Sequence, residues 1–202
     1  YYKLYPGSIV DVTTLKNCIK YLKKFDLREI VFVLDKGFFS KANVLEMDSS
    51  ESGVSFVLPV SFSLKKVKEL IKKNKRLLSS PSRAFKFNEE ILYYLQSNLE
   101  FVGKSFDAHI FFNEKSEVEQ KHKFFSVLLE YEEKFKNKKF KTLKEYLKCR
   151  NSNVPEKYRE YFKWNKTTLK SEKNEKKVKA FLCKIGSFVL ITNKQDIERT
   201  EV

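Results

Sequence analysis

Residues 30–34, Ile-Val-Phe-Val-Leu, run without a break into Asp35-Lys36-Gly37, and amphipathic helical patterns stand on both sides of them. A short apolar run that ends at a turn reads as a buried strand, here covering 29–34. Upstream, Leu15, Cys18, Ile19, Leu22 and Phe25 recur every three or four residues, and Asp11, with Thr13 and Thr14, is placed to cap the first turn of that helix. Downstream, Ser40 caps a second helix over 41–50 that carries Val44, Leu45 and Met47, and residues 54–60 form the next strand. Helix, strand, helix, strand imposes a parallel crossover, because two strands joined through a helix point the same way. In open α/β sheets helices cover both faces, and chemistry collects at the carboxyl edge. Asp35 sits at that edge, either as a D-x-G turn residue or as a functional carboxylate.

Beyond Pro59 the chain becomes studded with lysine. Helices are expected over 63–78, 114–135, 142–149 and 155–163, and strands over 91–95, 101–102 and 106–112. A polar run covers 170–177, and a hairpin over 178–192 has Phe181-Leu182-Cys183 and residues 188–191 flanking Ile185-Gly186. Residues 1–5 have strand composition and end at Pro6-Gly7. Hydrophobic periodicity persists throughout, so residues 61–180 read as a structured basic insertion rather than a linker. The expected layout is thus an α/β core over 1–60, the α+β insertion over 61–180, and a closing strand segment over 181–202.

Charge follows the same division. The chain carries 41 Lys+Arg against 26 Asp+Glu, a net of +15, and residues 1–60 hold only 8 basic and 7 acidic side chains of that total. The excess lies in the later part and favours a polyanionic partner, a nucleic acid or an acidic membrane surface. Clustered candidates for phosphate contact are Lys65, Lys66, Lys72, Lys73, Lys75 and Arg76; Tyr161, Phe162 and Trp164 serve either for base stacking or, the heavier reading, for core packing.

Cys18, Cys149 and Cys183 are an odd number with no C-x-x-C, which gives neither a disulfide framework nor a zinc site and fits reduced thiols in a cytoplasmic protein. His109 and His122 have no matching ligand pattern. No signal peptide and no apolar run of membrane-spanning length is present. A first residue Tyr1 and a single methionine at Met47 read as an internal piece of a longer protein.

Three segments, taken in order, resemble the insertion-sequence transposases with an RNase-H-like DDE catalytic domain: Tyr5-Pro6-Gly7-Ser8-Ile9-Val10-Asp11 with Leu15, then Val33-Leu34-Asp35-Lys36-Gly37-Phe38, then Gly186-Ser187-Phe188-Val189-Leu190-Ile191-Thr192-Asn193. The resemblance implies a partial RNase-H-like core carrying a large insertion that helps hold DNA. It makes Asp35 the second catalytic carboxylate and a ligand for Mg²⁺ or Mn²⁺, with Lys36 beside it where the family usually has arginine. Lysine keeps the charge and loses bidentate phosphate geometry. In-line displacement at phosphorus uses two cations about 3.5–4 Å apart, held by hard oxygen ligands. The resemblance also implies that the first aspartate and the glutamate lie outside this chain and that the whole protein cuts DNA at element ends and joins it to a target, with a homodimer open to it and the oligomeric state not fixed by the sequence. The lack of a membrane-length apolar run gives the expectation of no membrane partner. Two other classes stay open, a non-catalytic basic nucleic-acid-binding module and an inactive transposase remnant.

Overall fold

The computed structural model describes residues 11–22, 30–49, 54–194 and 197. The strand expected at 1–5 and the Pro6-Gly7 turn lie outside them. The chain divides into two compact units, one formed by 1–113 with 187–202 and the other by 114–186.

In the first unit, helix α1 (Asp11–Leu22) precedes strand β1 (Ile30–Val33), helix α2 (Lys41–Met47) and strand β2 (Val54–Pro59). The crossover is as expected: β1 and β2 pair in parallel, Ile30 beside Val54 and Val33 beside Val57. Helix α3 (Lys65–Leu78) follows, then strands β3 (Ala84–Phe87), β4 (Glu90–Phe101), β5 (Lys104–Phe112) and, after the second unit, β8 (Ser187–Thr192). The sheet is mixed, six strands in the order β1-β2-β8-β5-β4-β3, and every pair except β1 with β2 is antiparallel. Strand β8, late in sequence, lies between β2 and β5, so the second unit is carried on the connection between two neighbouring strands.

Helices α1, α2 and α3 all feed one core. Leu15, Ile19, Val44, Met47, Val67 and Ile71 pack with Phe56 and Leu58 of β2 and with alternate residues of β4, β5 and β8. Strand alternation sends the intervening residues to the opposite face. There Val31, Val33 and Phe188 are 46%, 76% and 40% exposed. The expectation of a fully buried β1 under helices on both faces is therefore corrected. Among the described residues β1 is an outer strand, and only its Phe32 side packs on the core.

Two other corrections have clear physical causes. The short strands expected at 91–95 and 101–102 are one strand, β4, whose run is masked in sequence by Gln96, Ser97 and Asn98. It turns into β5 through Val102 and Gly103, both at positive φ (49° and 80°), a hairpin turn that a β-branched residue conceals. Phe181-Leu182-Cys183 is the end of helix α7 (Glu175–Leu182) and not a hairpin arm, because the pairing of β8 goes to β2 and β5.

The second unit comprises α4 (Glu114–Glu133), α5 (Leu143–Asn153), α6 (Glu156–Arg159), the hairpin β6 (Phe162–Asn165) with β7 (Lys170–Lys173), and α7. The helix expected over 155–163 stops at Arg159 and gives way to β6, and part of the polar run at 170–177 is β7. Thr142 opens α5 with a capping box, its hydroxyl accepting from Glu145 N while Glu145 accepts from the Thr142 backbone. Residues 61–113, expected within the insertion, supply α3 and β3 to β5 of the first unit's sheet, so the structural division falls at Glu114.

Candidate functional site

Leu34 N donates to Val57 O at 3.1 Å, which carries the parallel pairing to the last residue before Asp35. Asp35 then caps a single 3-10 turn, Lys36–Phe38, its Oδ1 accepting from Gly37 N at 2.6 Å. The side chain is exposed, and Oδ2 makes no hydrogen bond or ion pair with a described residue. The geometry shows the turn role: one oxygen holds the loop, and the other has no partner among the described residues. Ser40 caps α2 through Asn43 N, and Asn43, buried, donates back to Phe38 O at 2.8 Å, so the loop that carries Asp35 is tied at both ends.

A cation site requires more than this. Among the described residues no group of three or more His, Cys, Asp or Glu side chains is disposed to hold a metal ion. Asp35 offers one hard oxygen ligand of the type that suits Mg²⁺ or Mn²⁺, and the described residues alone do not complete a site.

The basic candidates separate by position. Lys36 is exposed, with Nζ 5.9 Å from the centre of the Phe62 ring. On α3, Lys65 pairs with Glu69 at 3.6 Å and Lys66 with Glu100 at 3.0 Å. Lys72, Lys73 and Arg76 are exposed with no ion pair among the described residues, and Lys68, which the sequence reading missed, joins them. Lys75 is half-buried, its Nζ 5.7 Å from the Phe112 ring, so it faces the sheet instead of joining that row. At 1.5 Å per residue, Lys65 to Arg76 spans about 16 Å of helix, long enough to follow several phosphates.

A second basic concentration emerges only in three dimensions. Residues 134–141 and 163–173 together contain nine lysines against one glutamate, Glu172. Phe140 N donates to Leu169 O at 2.7 Å and Trp164 Nε1 to Phe140 O at 3.3 Å, which fastens the loop to the β6–β7 hairpin. Lys138, Lys139, Lys141, Lys166 and Lys170 stand exposed on this clasp. The aromatic candidates pack inward: Phe162 and Tyr161 are buried and Trp164 is half-buried against the same core.

His109 is buried on β5, with Nδ1 2.8 Å from Tyr94 Oη, and Nε2 has no hydrogen-bond partner among the described residues. Burial holds its imidazole below the ordinary range, and Asp107 pulls the other way. His122 is exposed. Asn193, at the end of the third segment singled out in sequence, accepts from Phe56 N at 2.9 Å and donates to Val54 O at 3.1 Å, which joins the end of β8 to β2. Asp48 closes the arrangement, bonded to Asn193 Nδ2 and to Lys104 Nζ.

Comparison with family models, with curated proteins and with solved structures finds no match for this chain. The fold defines the class: a mixed α/β protein with a six-stranded mixed sheet and flanking helices. No described helix is long and apolar enough to cross a membrane.

Proposed function

We propose that this chain belongs to the catalytic domain of a DDE-type transposase, with a partial RNase-H-like core in the first unit and the second unit as its insertion. The observation that carries the reading is the parallel β1-α2-β2 crossover, which presents Asp35, its Oδ2 unpaired among the described residues, at the carboxyl edge of a strand. The one-sided basic face of α3 supports a DNA partner, as does the net charge of +15. In this reading Asp35 is one of three carboxylates that hold Mg²⁺ or Mn²⁺, and the other two come from sequence outside these residues. When bound, the metals activate the attacking oxygen and stabilise the leaving one. The chain's own contribution is to fix Asp35 by its Gly37 hydrogen bond and to place phosphates along Lys65, Lys68, Lys72, Lys73 and Arg76.

A second reading, a non-catalytic nucleic-acid-binding module, is favoured by the exposed basic face of α3, which serves phosphate binding without any carboxylate. Duplex binding measured against salt tests the shared premise. With about five phosphates neutralised, log K should fall with log salt at a slope of about −4 to −5. Reversing Lys72, Lys73 and Arg76 to glutamate should flatten that slope; an unchanged slope removes α3 from the interface. Asp35→Asn separates the two readings, since only the transposase loses strand cleavage in the whole protein.

A further inference from the structure

The second unit contains a cleft of about 320 Å³ that neither Asp35 nor α3 lines. Its floor is Phe124 of α4 and Tyr161, both buried, and its sides are Tyr158 of α6 and Phe181 of α7. The rings are fixed against one another. Phe124 and Phe181 stack with centroids 4.0 Å apart and planes 25° apart, and Tyr161 meets Phe124 edge-on at 4.9 Å and 80°. Tyr131 backs Tyr158 from behind at 5.6 Å.

The rim is different in kind. Lys123, Lys157 and Gln120 stand there exposed. Neither lysine forms an ion pair with a described residue; Lys157 Nζ lies 5.0 Å from the Tyr158 ring. Burial, with the Glu160 charge beside it, pushes the Tyr161 hydroxyl up to about 12, so it keeps its proton at neutral pH.

An occupant must therefore be flat and apolar on its faces, small enough for the volume, and negatively charged within reach of two lysines. Aromatic walls bind planar π-systems by offset or edge-on contact, and a hydrocarbon chain gains nothing from their orientation. Fixed rings also spare a ligand the cost of ordering them. A nucleobase with its phosphate meets all the requirements, because every base has a π-face that stacks on aromatic side chains.

We propose that this cleft binds a nucleotide, the base held among Tyr158, Phe124 and Phe181 and the phosphate between Lys123 and Lys157. The inference does not rest on the role given to Asp35. The ligand has two sources, a free nucleoside monophosphate or an unpaired nucleotide in a DNA strand. Both carry the same chemistry.

The test uses the fluorescent base 2-aminopurine, whose emission falls on stacking, in three probes: the free deoxynucleoside monophosphate, a short single strand and the same strand in a duplex. Quenching by the full chain with the free monophosphate assigns a free nucleotide, and quenching with the single strand alone assigns an unpaired strand position. Tyr158→Leu keeps apolar bulk and removes the ring, and it should weaken binding about tenfold. Lys123→Gln with Lys157→Gln touches no core residue and should weaken binding similarly while reducing its salt dependence. No quenching with either unpaired probe, or equal quenching in both variants, overturns the proposal. Retention of unlabelled duplex on α3 is read separately, so failure here leaves the transposase reading standing.

Discussion

The two units bury their apolar surface by different means. Among the described residues the first unit's core cluster has eighteen buried members, of which Phe56, Phe106 and Phe112 are aromatic. The second has nine, and six of them are aromatic: Phe124, Phe135, Phe140, Tyr146, Tyr161 and Phe162. A six-stranded sheet under three helices offers many small facing positions, which aliphatic side chains fill at high density. Four helices and a two-stranded hairpin offer few, so each must carry more area, and rings supply it. Aromatic cores also bring polar tips inside. Tyr146 Oη and Ser171 Oγ are buried without a hydrogen-bond partner. Ser171 and Arg150 lie near enough to oppose the upward push of burial on Tyr146, but neither reaches Oη with hydrogen-bond geometry.

The contrast can be broken most forcefully in the first core. Phe56 is fully buried, and Phe56→Ala should cost about 3–5 kcal/mol, read as a lowered denaturation midpoint with amide exchange accelerated in β2, β8 and β5. If exchange rises equally among the residues of the second unit, the separation into two cores is wrong. A smaller effect comes from His109. Because its folded pKa lies below the unfolded value of 6.5, the neutral form is stabilised, and that stability is complete above 6.5 and is lost as pH falls. Stability should therefore drop between pH 7 and pH 5 by at most about 1.4 kcal/mol per unit, and His109→Gln should flatten the profile. The smallest change sharpens the comparison from the other side: Tyr146→Phe removes a hydroxyl that satisfies nothing and should leave the second unit within about 1 kcal/mol of its original stability, or above it. A loss of several kcal/mol would mean that Tyr146 Oη is bonded after all.

Sequence periodicity made the first unit's crossover legible. Leu15 and Ile19, then Ile30 to Leu34, then Val44 and Met47, then Val54 to Val60 have the periods their elements require, and the cap at Ser40 lies where it was expected. The sequence puts Asp35 just past the end of β1, where it lies, but does not show that one of its oxygens is committed to Gly37. Non-local pairing was hidden. Nothing near Ser187 to Thr192 says that their partners are β2 and β5, and so the local pattern gives Phe181 a hairpin arm where the structure has the end of α7. The aromatic cleft was hidden for the same reason, since Phe124, Tyr158 and Phe181 are separated by dozens of residues and meet only through packing. The lysine clasp needed the backbone bond from Phe140 to Leu169 to become one surface. Asn193 shows the reverse case: its place in a recognisable segment was visible, and its work, sealing β8 to β2, was not.

The central claim is that Asp35 is held at the carboxyl edge of β1 to take part in cutting DNA. Strand cleavage by the whole protein in Mg²⁺, compared with Asp35→Asn, tests it most directly, because the amide can still accept the Gly37 hydrogen bond that fixes the loop while losing the charge a cation needs. The account predicts that cleavage falls to background with duplex affinity and thermal midpoint unchanged. Cleavage retained at the original rate would contradict it.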